Sequence, residues 1–494
     1  MVIPMTDVIP IPMELHPDPS ADFTLTGSTV LAVSGGAVAE PTATWLAALL
    51  RHGTGFALPI TVGAAHAGSV IAVELGDADP SLGDEGYTLT VRPGSVVIRA
   101  ATGAGLFHGA ETLRQLLPGS VETAGGRGPW TVSGGQIVDR PRYPWRGAML
   151  DVARHFFSVA DVERYIDEIA LYKINILHLH LTDDQGWRIA INGWPQLTAV
   201  GGSTEVGGGT GGYYTQDQYR QIVAYAASRY VTVVPEVDGP GHVNAALASY
   251  PELTCSGTAP PLYTGIDVGF SSLCAGKAVT YQFLDDVLGQ LAAMTPGSYI
   301  AIGGDEAQDT PPEDYTAFIE KAVQTVAARG KTAVGWAEIA AAPLPSDTIA
   351  EYWDTADGGA SLERAVQDGV RVVLAPANRC YLDQKYDDNT TLGLVWAGPT
   401  SVETAYDWDP TSYEVPAAQV EGVEAPLFSE TLTTMADIEQ MAFPRLPGIA
   451  EIGWSPQSTH DWSSYRLRLA AQAPRWEAMN LDFYRSPEVS WPAG

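Results

Sequence analysis

Short apolar runs alternate with amphipathic helical patterns from residue 145 onward. The apolar runs cover residues 147–153, 174–180, 231–235, 299–302, 332–336, 348–353, 370–374 and 422–428. The clearest helical patterns between them cover residues 161–172, 216–229, 279–294 and 313–329. Eight short buried strands with intervening helices predict a (β/α)8 TIM barrel with long loops. An open doubly wound sheet is the alternative, which is disfavoured because no glycine-rich phosphate loop follows the first run.

The N-terminal part of the chain alternates short β-rich runs with turns. Examples are residues 70–75, 87–91 and 96–100, which precede a helical pattern at 105–117. This mixture predicts a smaller α+β domain ahead of the barrel. Two prolines within the short stretch that ends at Pro144 mark the boundary between the two. The predicted domains are therefore residues 1–140 and residues 141–494.

Composition narrows the classes of partner. The chain has 494 residues, of which 45% are hydrophobic and 17% charged, as is typical of a globular protein with two domains. The formal net charge of -31 argues against nucleic acid or anionic lipid as a partner, because no basic stripe offsets the repulsion. No run of about 18 apolar residues occurs, so no membrane-spanning segment is predicted. Neutral or cationic small molecules fit this composition, and no feature indicates an oligomeric state.

The cysteines bear on the compartment. Cys255 and Cys274 flank a loop rich in glycine, proline and serine, and they are a disulfide candidate; two free buried thiols are the alternative. Cys380 is expected to be a small buried side chain. Because a disulfide needs an oxidising compartment, the pair favours an extracellular, secreted protein. The first 19 residues lack the charged start and apolar core of a signal peptide, which keeps a cytoplasmic location as the alternative.

Polar and aromatic residues follow nearly every predicted barrel strand. Active sites of such barrels lie at the carboxyl ends of the strands, so these residues are candidates for chemistry. The set comprises Arg154, Asp183, Asp184, Glu236, Asp238, His242, Asp305, Glu306, Trp336, Trp353, Tyr381, Asp383 and Glu430. One such residue alone is usually structural, and their recurrence at one face is what indicates a site. Carboxylates beside aromatic rings are typical of glycoside hydrolysis, where acids move protons and rings stack on the sugar.

Two histidines suggest a competing chemistry. His178 and His180 alternate along the second predicted strand and could be ligands of a catalytic zinc ion. No matching cluster of further histidines accompanies them in the sequence, so the zinc alternative is disfavoured. We expect the two side chains to form a polar layer beneath the site. The prediction is an enzyme that uses neither a metal nor an organic cofactor.

Seven motifs follow one another along the barrel region. They are LDVARHFF at 150–157, KINILHLHLTDDQGWR at 173–188, VPEVDGPGH at 234–242, IGGDEAQ at 302–308, VGW at 334–336, YLDQKY at 381–386 and VEAPLFSE at 423–430. With these motifs the chain resembles glycoside hydrolase family 20 over nearly its whole length, and it closely resembles the secreted actinobacterial members. The resemblance implies a catalytic barrel behind a smaller, non-catalytic domain. It also implies a retaining exo-β-N-acetylhexosaminidase that removes terminal β-GlcNAc or β-GalNAc from chitooligosaccharides and glycans, as in chitin degradation.

The resemblance further implies substrate-assisted catalysis through an oxazolinium intermediate. The carbonyl oxygen of the substrate's 2-acetamido group attacks C1, so the enzyme supplies orientation and charge instead of a nucleophile. Asp305 would accept the acetamido N–H and stabilise its positive charge. Glu306 would protonate the leaving oxygen and then activate water.

The same resemblance implies tasks for the surrounding residues. Asp183 and His242 would form a relay behind Glu306, Asp238 would support Asp305, and Tyr381 would donate to the acetamido oxygen. The sugar hydroxyls would be held by Arg154, Asp383 and Glu430, the acetamido pocket would be walled by Trp336, Trp353 and Phe428, and the aglycone would meet Trp396.

Four positions depart from the family's usual pattern. Ala301 and Gln308 occupy places where histidine is usual, Phe428 replaces a tryptophan, and Ala337 replaces a polar residue. These changes leave the catalytic pair intact and bear on substrate breadth. Two alternatives therefore stay open: a hydrolase of the same fold that releases disaccharides or sulfated GlcNAc, and a non-catalytic carbohydrate-binding protein.

Overall fold

Two compact units make up the protein, whose structure is a computed structural model. One unit comprises Met1–Pro144, Ala170–Lys173 and Phe443–Gly494, and the other comprises Trp145–Ile169 and Ile174–Ala442. This grouping differs from the predicted domains, because it adds the C-terminal segment to the N-terminal unit. The residues that the structure describes are 2–63, 68–76 and 79–492.

Side-chain contacts explain why the C-terminal segment groups with the first unit. Arg475, on the helix Trp462–Ala478, donates to the backbone carbonyl oxygens of Arg114 (2.8 Å) and Leu117 (2.6 Å). Arg475 also pairs with the Glu122 carboxylate, and its own side chain is buried. Hydrogen bonds from a guanidinium are charge-assisted and stronger than neutral ones. The sequence pattern could not reveal them, since 361 positions separate Arg475 from Arg114.

A seven-stranded mixed sheet lies at the centre of the first unit. In spatial order its strands are Glu14–Pro17, Gly135–Asp139, Tyr87–Arg92, Ser95–Ala100, Val70–Leu75, Val30–Ser34 and Ile60–Val62, and a separate pair joins Phe23–Thr24 to Thr131–Val132. The α-helices described in this unit are Glu40–Thr54, Gly103–Leu116, Leu446–Trp454 and Trp462–Ala478. Apolar side chains of the sheet and helices, such as Leu46 and Leu113, are buried in one core. The predicted α+β architecture is confirmed.

Eight parallel strands close into a barrel in the second unit. In order they are Trp145–Asp151, Ile176–His180, Thr232–Glu236, Tyr299–Ala301, Thr332–Trp336, Ile349–Tyr352, Arg371–Leu374 and Val420–Ala425. The helices around them are Val159–Leu171, Gln196–Ala199, Gln216–Ala227, Asn244–Ser249, Ala278–Met294, Pro312–Ala328, Ala360–Gln367, Ala377–Cys380, Val402–Tyr406 and Met435–Ala442. The predicted (β/α)8 barrel is confirmed. Within the described ranges, no helix is both long and apolar enough to cross a bilayer.

The barrel closes where the first strand pairs with the eighth, at Trp145 and Gly422. A Cβ atom on Gly422 would lie 1.7 Å from the Trp145 carbonyl oxygen, so the close pairing requires glycine. The Trp145 indole donates to the Glu424 carboxylate (2.8 Å) inside the barrel. Closure brings the carboxyl ends of all the strands to one face, which is where the sites of such barrels lie.

A disulfide joins Cys255 to Cys274 and closes the loop after the third strand, as the sequence predicted. Cys380 is free and buried, also as predicted. Ile266, on this closed loop, helps to line the cavity described below. The disulfide therefore constrains a segment that faces the candidate site.

Removing this disulfide is expected to destabilise the barrel unit by about 3 kcal/mol, because the unfolded loop gains conformational entropy. The measurement is the urea midpoint of the wild type and of the double variant Cys255→Ser/Cys274→Ser. Reductant should shift the wild type to the midpoint of the double variant and leave the double variant unchanged. Equal midpoints without reductant would contradict this expectation.

Candidate active site

The carboxyl ends of the barrel strands open into a cavity of about 700 Å³. The predicted site residues that line it are Arg154, Asp305, Glu306, Trp353, Tyr381, Asp383, Trp396, Phe428 and Glu430. The predicted residues Asp183, Asp238, His242 and Trp336 are buried and contact this lining. Acidic side chains outnumber basic ones in the lining, so the cavity favours a ligand or transition state that carries positive charge.

A turn with an uncommon backbone places Asp305 and Glu306 after the fourth barrel strand. Gly303 has φ +71°, and a Cβ atom there would lie 1.6 Å from the Asp238 carboxylate. The Gly304 N–H donates to the same carboxylate at 3.1 Å. Glu306 itself has φ 47°, a left-handed conformation that is rare for such a side chain and that clusters at functional sites. The glycines before the two acids are therefore required by the backbone.

A relay of charged groups leads from Glu306 into the barrel. His242 Nε2 lies 3.2 Å from Glu306 Oε2, and His242 Nδ1 lies 3.1 Å from Asp183 Oδ1. Burial alone would lower the pKa of His242, but the carboxylates of Asp183 and Asp305 raise it well above its usual range. Burial opposes ionisation of Asp183, yet Arg154 and His242 hold its pKa well below the usual range. An ionised aspartate thus holds a protonated imidazole against Glu306.

Asp305 and Asp238 form a closely spaced carboxyl pair beside this relay. One oxygen of each and one His242 nitrogen all lie within 4.8 Å of one another, which makes this one of the groups among the described residues that could hold a metal ion. Burial raises the pKa of Asp238 well above its usual value, and the Asp305 carboxylate adds to the rise. Burial also raises the pKa of Asp305, although the charge of His242 opposes the shift. Asp305 is the member of the pair that lines the cavity, so its carboxylate is the acceptor that a ligand can reach.

A layer of histidines and glutamates lies below these acids. His180 Nε2 is 2.8 Å from Asp183 Oδ2, and the other ring nitrogen pairs with Glu236. The two ring nitrogens of His178 lie 3.0 Å from Glu236 and 2.7 Å from Glu424. Every nitrogen of the two rings thus faces a carboxylate. The arrangement agrees with the polar layer predicted for the two histidines.

Arg154, Asp383 and Glu430 form a polar group in the cavity lining. Arg154 Nη1 lies 3.0 Å from Asp183 Oδ2, and the guanidinium lies 5.1 Å from the centroid of the Phe428 ring. Burial, together with the neighbouring carboxylate of Glu430, raises the pKa of Asp383 to about 7. Burial raises the pKa of Glu430 as well, and the charge of Arg154 opposes that shift. A fixed donor beside two carboxyls suits the hydroxyl groups of a sugar, which both donate and accept.

Aromatic rings pack around Tyr381 in the cavity wall. Its ring centroid lies 6.2 Å from Trp353, 5.4 Å from Trp396 and 5.5 Å from Phe428. Trp396 is 51% exposed, in keeping with a position that would meet an aglycone. Trp336 is buried, lies 6.1 Å from the Phe428 ring and is not part of the lining. Phe428 therefore presents its ring to the cavity, and Trp336 packs against it.

The other three departures from the family's pattern lie at or after the ends of the fourth and fifth strands. Ala301 ends the fourth strand and is buried, as is Ala337 after the fifth strand. Gln308 is exposed, and its backbone N–H donates to the carbonyl oxygen of Glu306 at 2.8 Å. The relay described above is made of other residues.

Three buried or half-buried glutamates escaped the sequence prediction. Glu338, which follows the fifth strand, accepts a hydrogen bond from the indole N–H of Trp353. Glu351 and Glu424 lie in the barrel interior, where their carboxylates are 3.7 and 2.7 Å from His178 Nδ1. The sequence did contain a signal for these glutamates: each is a lone acid within or next to a predicted buried strand. Such an acid needs a partner, because burial of an unpaired charge is strongly unfavourable.

Models of one protein family match almost the whole chain. The model of the glycosyl hydrolase family 20 catalytic domain matches residues 143–317 and 310–457, and the model of domain 2 of that family matches residues 5–140. The chain therefore belongs to glycosyl hydrolase family 20. It is a glycosidase, and the resemblance drawn from the motifs is confirmed.

Individual relatives agree with the family assignment. A β-N-acetylhexosaminidase from Cellulomonas fimi is 42% identical over 99% of this chain and 98% of its own length. The solved GH20 β-N-acetylhexosaminidase of Streptomyces coelicolor A3(2) is 53% identical, covers 99% of this chain and 100% of its own, and has a TM-score of 0.96. The N-acetyl-β-hexosaminidase of Streptomyces plicatus, solved in complex with Thio-NAglucal, is 54% identical, covers 100% of this chain and 99% of its own, and has the same TM-score.

Proposed function

We propose that the chain is a retaining exo-β-N-acetylhexosaminidase that acts by substrate-assisted catalysis. The observation that carries the proposal is the arrangement of two acids around one imidazole: His242 Nε2 lies 3.4 Å from Asp305 Oδ2 and 3.2 Å from Glu306 Oε2. The Glu306 side chain is 27% exposed and that of Asp305 13%. Adjacent acids with different exposure suit different tasks. The names of the similar proteins, which are β-N-acetylhexosaminidases, support the same activity.

Glu306 is suited to proton transfer. In its protonated form it gives a proton to the glycosidic oxygen as the bond from C1 to that oxygen breaks. The resulting carboxylate is stabilised by the protonated His242, whose charge is in turn balanced by Asp183. The same carboxylate then takes a proton from the water that opens the intermediate, so one residue serves both steps.

Asp305 is suited to orient the acetamido group and to stabilise the positive charge that develops on its nitrogen. Its acceptor oxygen would bind the N–H while the carbonyl oxygen forms a bond to C1 and the nitrogen becomes positive. A fixed negative charge next to that nitrogen stabilises the oxazolinium ion without any reorganisation of solvent. Tyr381, in the same wall, would donate its hydroxyl to the acetamido oxygen, and Trp353 would pack against the methyl group.

Cleavage at the ends of sugar chains is expected from the polar residues of the cavity lining. Arg154, Asp383 and Glu430 offer donors and acceptors to the hydroxyl groups of one terminal sugar. C4 epimers meet the same three residues, so we expect both GlcNAc and GalNAc to be substrates. The exposed Trp396 would receive the first sugar of the aglycone.

Hydrolysis of three p-nitrophenyl glycosides, β-GlcNAc, β-GalNAc and β-glucose, tests the proposal. Both acetamido sugars should turn over, and kcat/KM for the glucoside should be lower by about 10³-fold or more, since the glucoside lacks the internal nucleophile. An N-trifluoroacetyl substrate should also react slowly, because its carbonyl oxygen is a poorer nucleophile. Comparable rates on glucoside and acetamido sugars would contradict the mechanism.

Two further candidates predict different results with additional ligands, namely a disaccharide substrate, a sulfated GlcNAc and GlcNAc itself in calorimetry. The Phe428 ring in place of an indole favours a same-fold hydrolase with a roomier pocket, which would prefer a disaccharide or a sulfated GlcNAc to simple GlcNAc. A carbohydrate-binding protein would bind GlcNAc in calorimetry without turning over any substrate.

We also propose that the enzyme works outside the cell on chitooligosaccharides. The disulfide between Cys255 and Cys274 supports this location, because such bonds persist in oxidising compartments. The test is to fractionate a culture of the source cells and assay activity in medium and cytosol. Activity confined to the cytosol would overturn the proposed location and leave the proposed reaction untouched.

A further inference from the structure

Glu338 follows the fifth barrel strand and contacts the aromatic wall of the cavity. Its two carboxyl oxygens lie 3.1 and 3.0 Å from the indole nitrogen of Trp353, which donates its N–H between them. Trp353 follows the sixth strand, so this contact joins the ends of two neighbouring strands. A donor shared between two oxygens restricts the plane of the indole as well as its position.

The orientation of Trp353 is passed on to its neighbours. Its ring stacks on Tyr381 with an interplanar angle of 26°, and Trp396 meets it edge-on with centroids 5.7 Å apart. Tyr381 is the residue expected to hold the acetamido oxygen. A rotation of the indole would therefore displace both the wall of the cavity and this hydroxyl.

We propose that Glu338 is a positioning residue that holds Trp353 against the N-acyl group and thereby sets the size of the acyl group that the enzyme accepts. The inference rests on the proposed function, because it places the acetamido group beside Trp353 and Asp305. An acetyl methyl fits against a fixed ring, whereas a longer acyl chain needs the ring to move. Loss of Glu338 frees the indole, so the preference for acetyl over larger acyl groups should shrink.

The protonation state of Glu338 determines whether glutamine can replace it without changing its charge. Burial and the Asp305 carboxylate raise the pKa of Glu338 to about 8, and the hydrogen bond from Trp353 opposes the shift. The titratable groups that interact with Glu338 are Asp305, Asp354, Tyr315 and Tyr381. Below pH 8 the carboxyl is protonated and neutral, and glutamine matches it in shape and charge. Above pH 8 the carboxylate is ionised and is a stronger acceptor for the indole N–H.

The test compares p-nitrophenyl glycosides of N-acetyl-, N-propionyl- and N-butyryl-β-glucosamine at pH 6. In the wild type, kcat/KM should fall roughly tenfold or more for each added methylene. Glu338→Ala should raise KM for the acetyl substrate about tenfold and compress the whole series to within about threefold. Glu338→Gln should keep the wild-type order, since one oxygen still accepts the indole N–H.

Glu313→Gln is the matched control, because Glu313 is exposed on the first turn of the helix Pro312–Ala328. Its acyl series should be that of the wild type. If Glu338→Ala melts like the wild type and keeps the wild-type ratio of butyryl to acetyl rates, the inference is overturned, even where all rates fall together. A failure of the proposed function would show differently, as no turnover of the acetyl substrate by the wild-type enzyme.

The pH profile gives a second test that does not depend on the alanine variant. In the wild type the ratio of butyryl to acetyl kcat/KM should fall as pH rises through 8, because the ionised carboxylate holds the ring more firmly. In Glu338→Gln the ratio should stay flat over the same range. Parallel profiles in the two proteins would also overturn the inference.

Discussion

Replacing Glu306 with glutamine is expected to lower kcat/KM about 10³-fold for substrates whose leaving group is a sugar. Glutamine cannot give a proton to the glycosidic oxygen, and a sugar alkoxide is a poor leaving group without one. A 2,4-dinitrophenyl glycoside leaves as a stable phenolate and needs little help, so its first step should slow far less. The measurement is kcat/KM for the disaccharide and for the dinitrophenyl substrate in both proteins.

Glu313→Gln serves as the control here too, because it makes the same chemical change on an exposed helix. It should leave both substrates unaffected. An equal loss on the sugar and the dinitrophenyl leaving groups in Glu306→Gln would mean that Glu306 is not the proton donor. Such a result would assign the proton transfer to another acid of the cavity lining.

Replacing Asp305 with asparagine is expected to lower kcat by about 10² to 10³-fold for every leaving group. The neutral amide cannot balance the positive charge that develops on the acetamido nitrogen, and this charge forms whichever group departs. A second result follows from electrostatics: the Asp305 carboxylate helps to raise the pKa of His242, so that pKa should fall in the variant. Kinetics with two leaving groups and an NMR titration of His242 check both statements.

Asp309→Asn is the control for this substitution, since Asp309 is exposed only a few residues further along the chain. It should leave both kcat and the His242 titration unchanged. Full activity of Asp305→Asn on any acetamido substrate would refute the role assigned to this carboxylate. Recovery with a better leaving group alone would instead make Asp305 part of the proton-transfer machinery.

The barrel could be predicted because each strand is an apolar run bounded by loops. The fifth run, residues 332–336, matches Thr332–Trp336 in full. The first run, 147–153, is displaced from the strand Trp145–Asp151, because buried residues continue past the end of the strand. Hydropathy reports burial, and burial does not stop where the hydrogen-bond ladder stops.

The candidate site could be located for a similar reason. Strand ends of a barrel share one face, so Asp305, Tyr381 and Glu430 could be placed together although they are far apart in the chain. Their individual tasks come from the family resemblance and stay predictions. The contact between Glu338 and Trp353 could not be predicted, since it depends on the side-chain rotamers of two separate strand ends. The grouping of the C-terminal segment depends likewise on contacts, such as that of Arg475, between distant parts of the chain.

That grouping has a consequence for the order in which the protein is made. The first unit contains both Met1–Pro144 and Phe443–Gly494, and all eight barrel strands are translated between these two segments. Domains generally fold as units during synthesis. Here the unit that begins first is completed last, because the helix that carries Arg475 is translated after the barrel. A chain that stops early in the helix Trp462–Ala478 would therefore carry a finished barrel and an unfinished first unit.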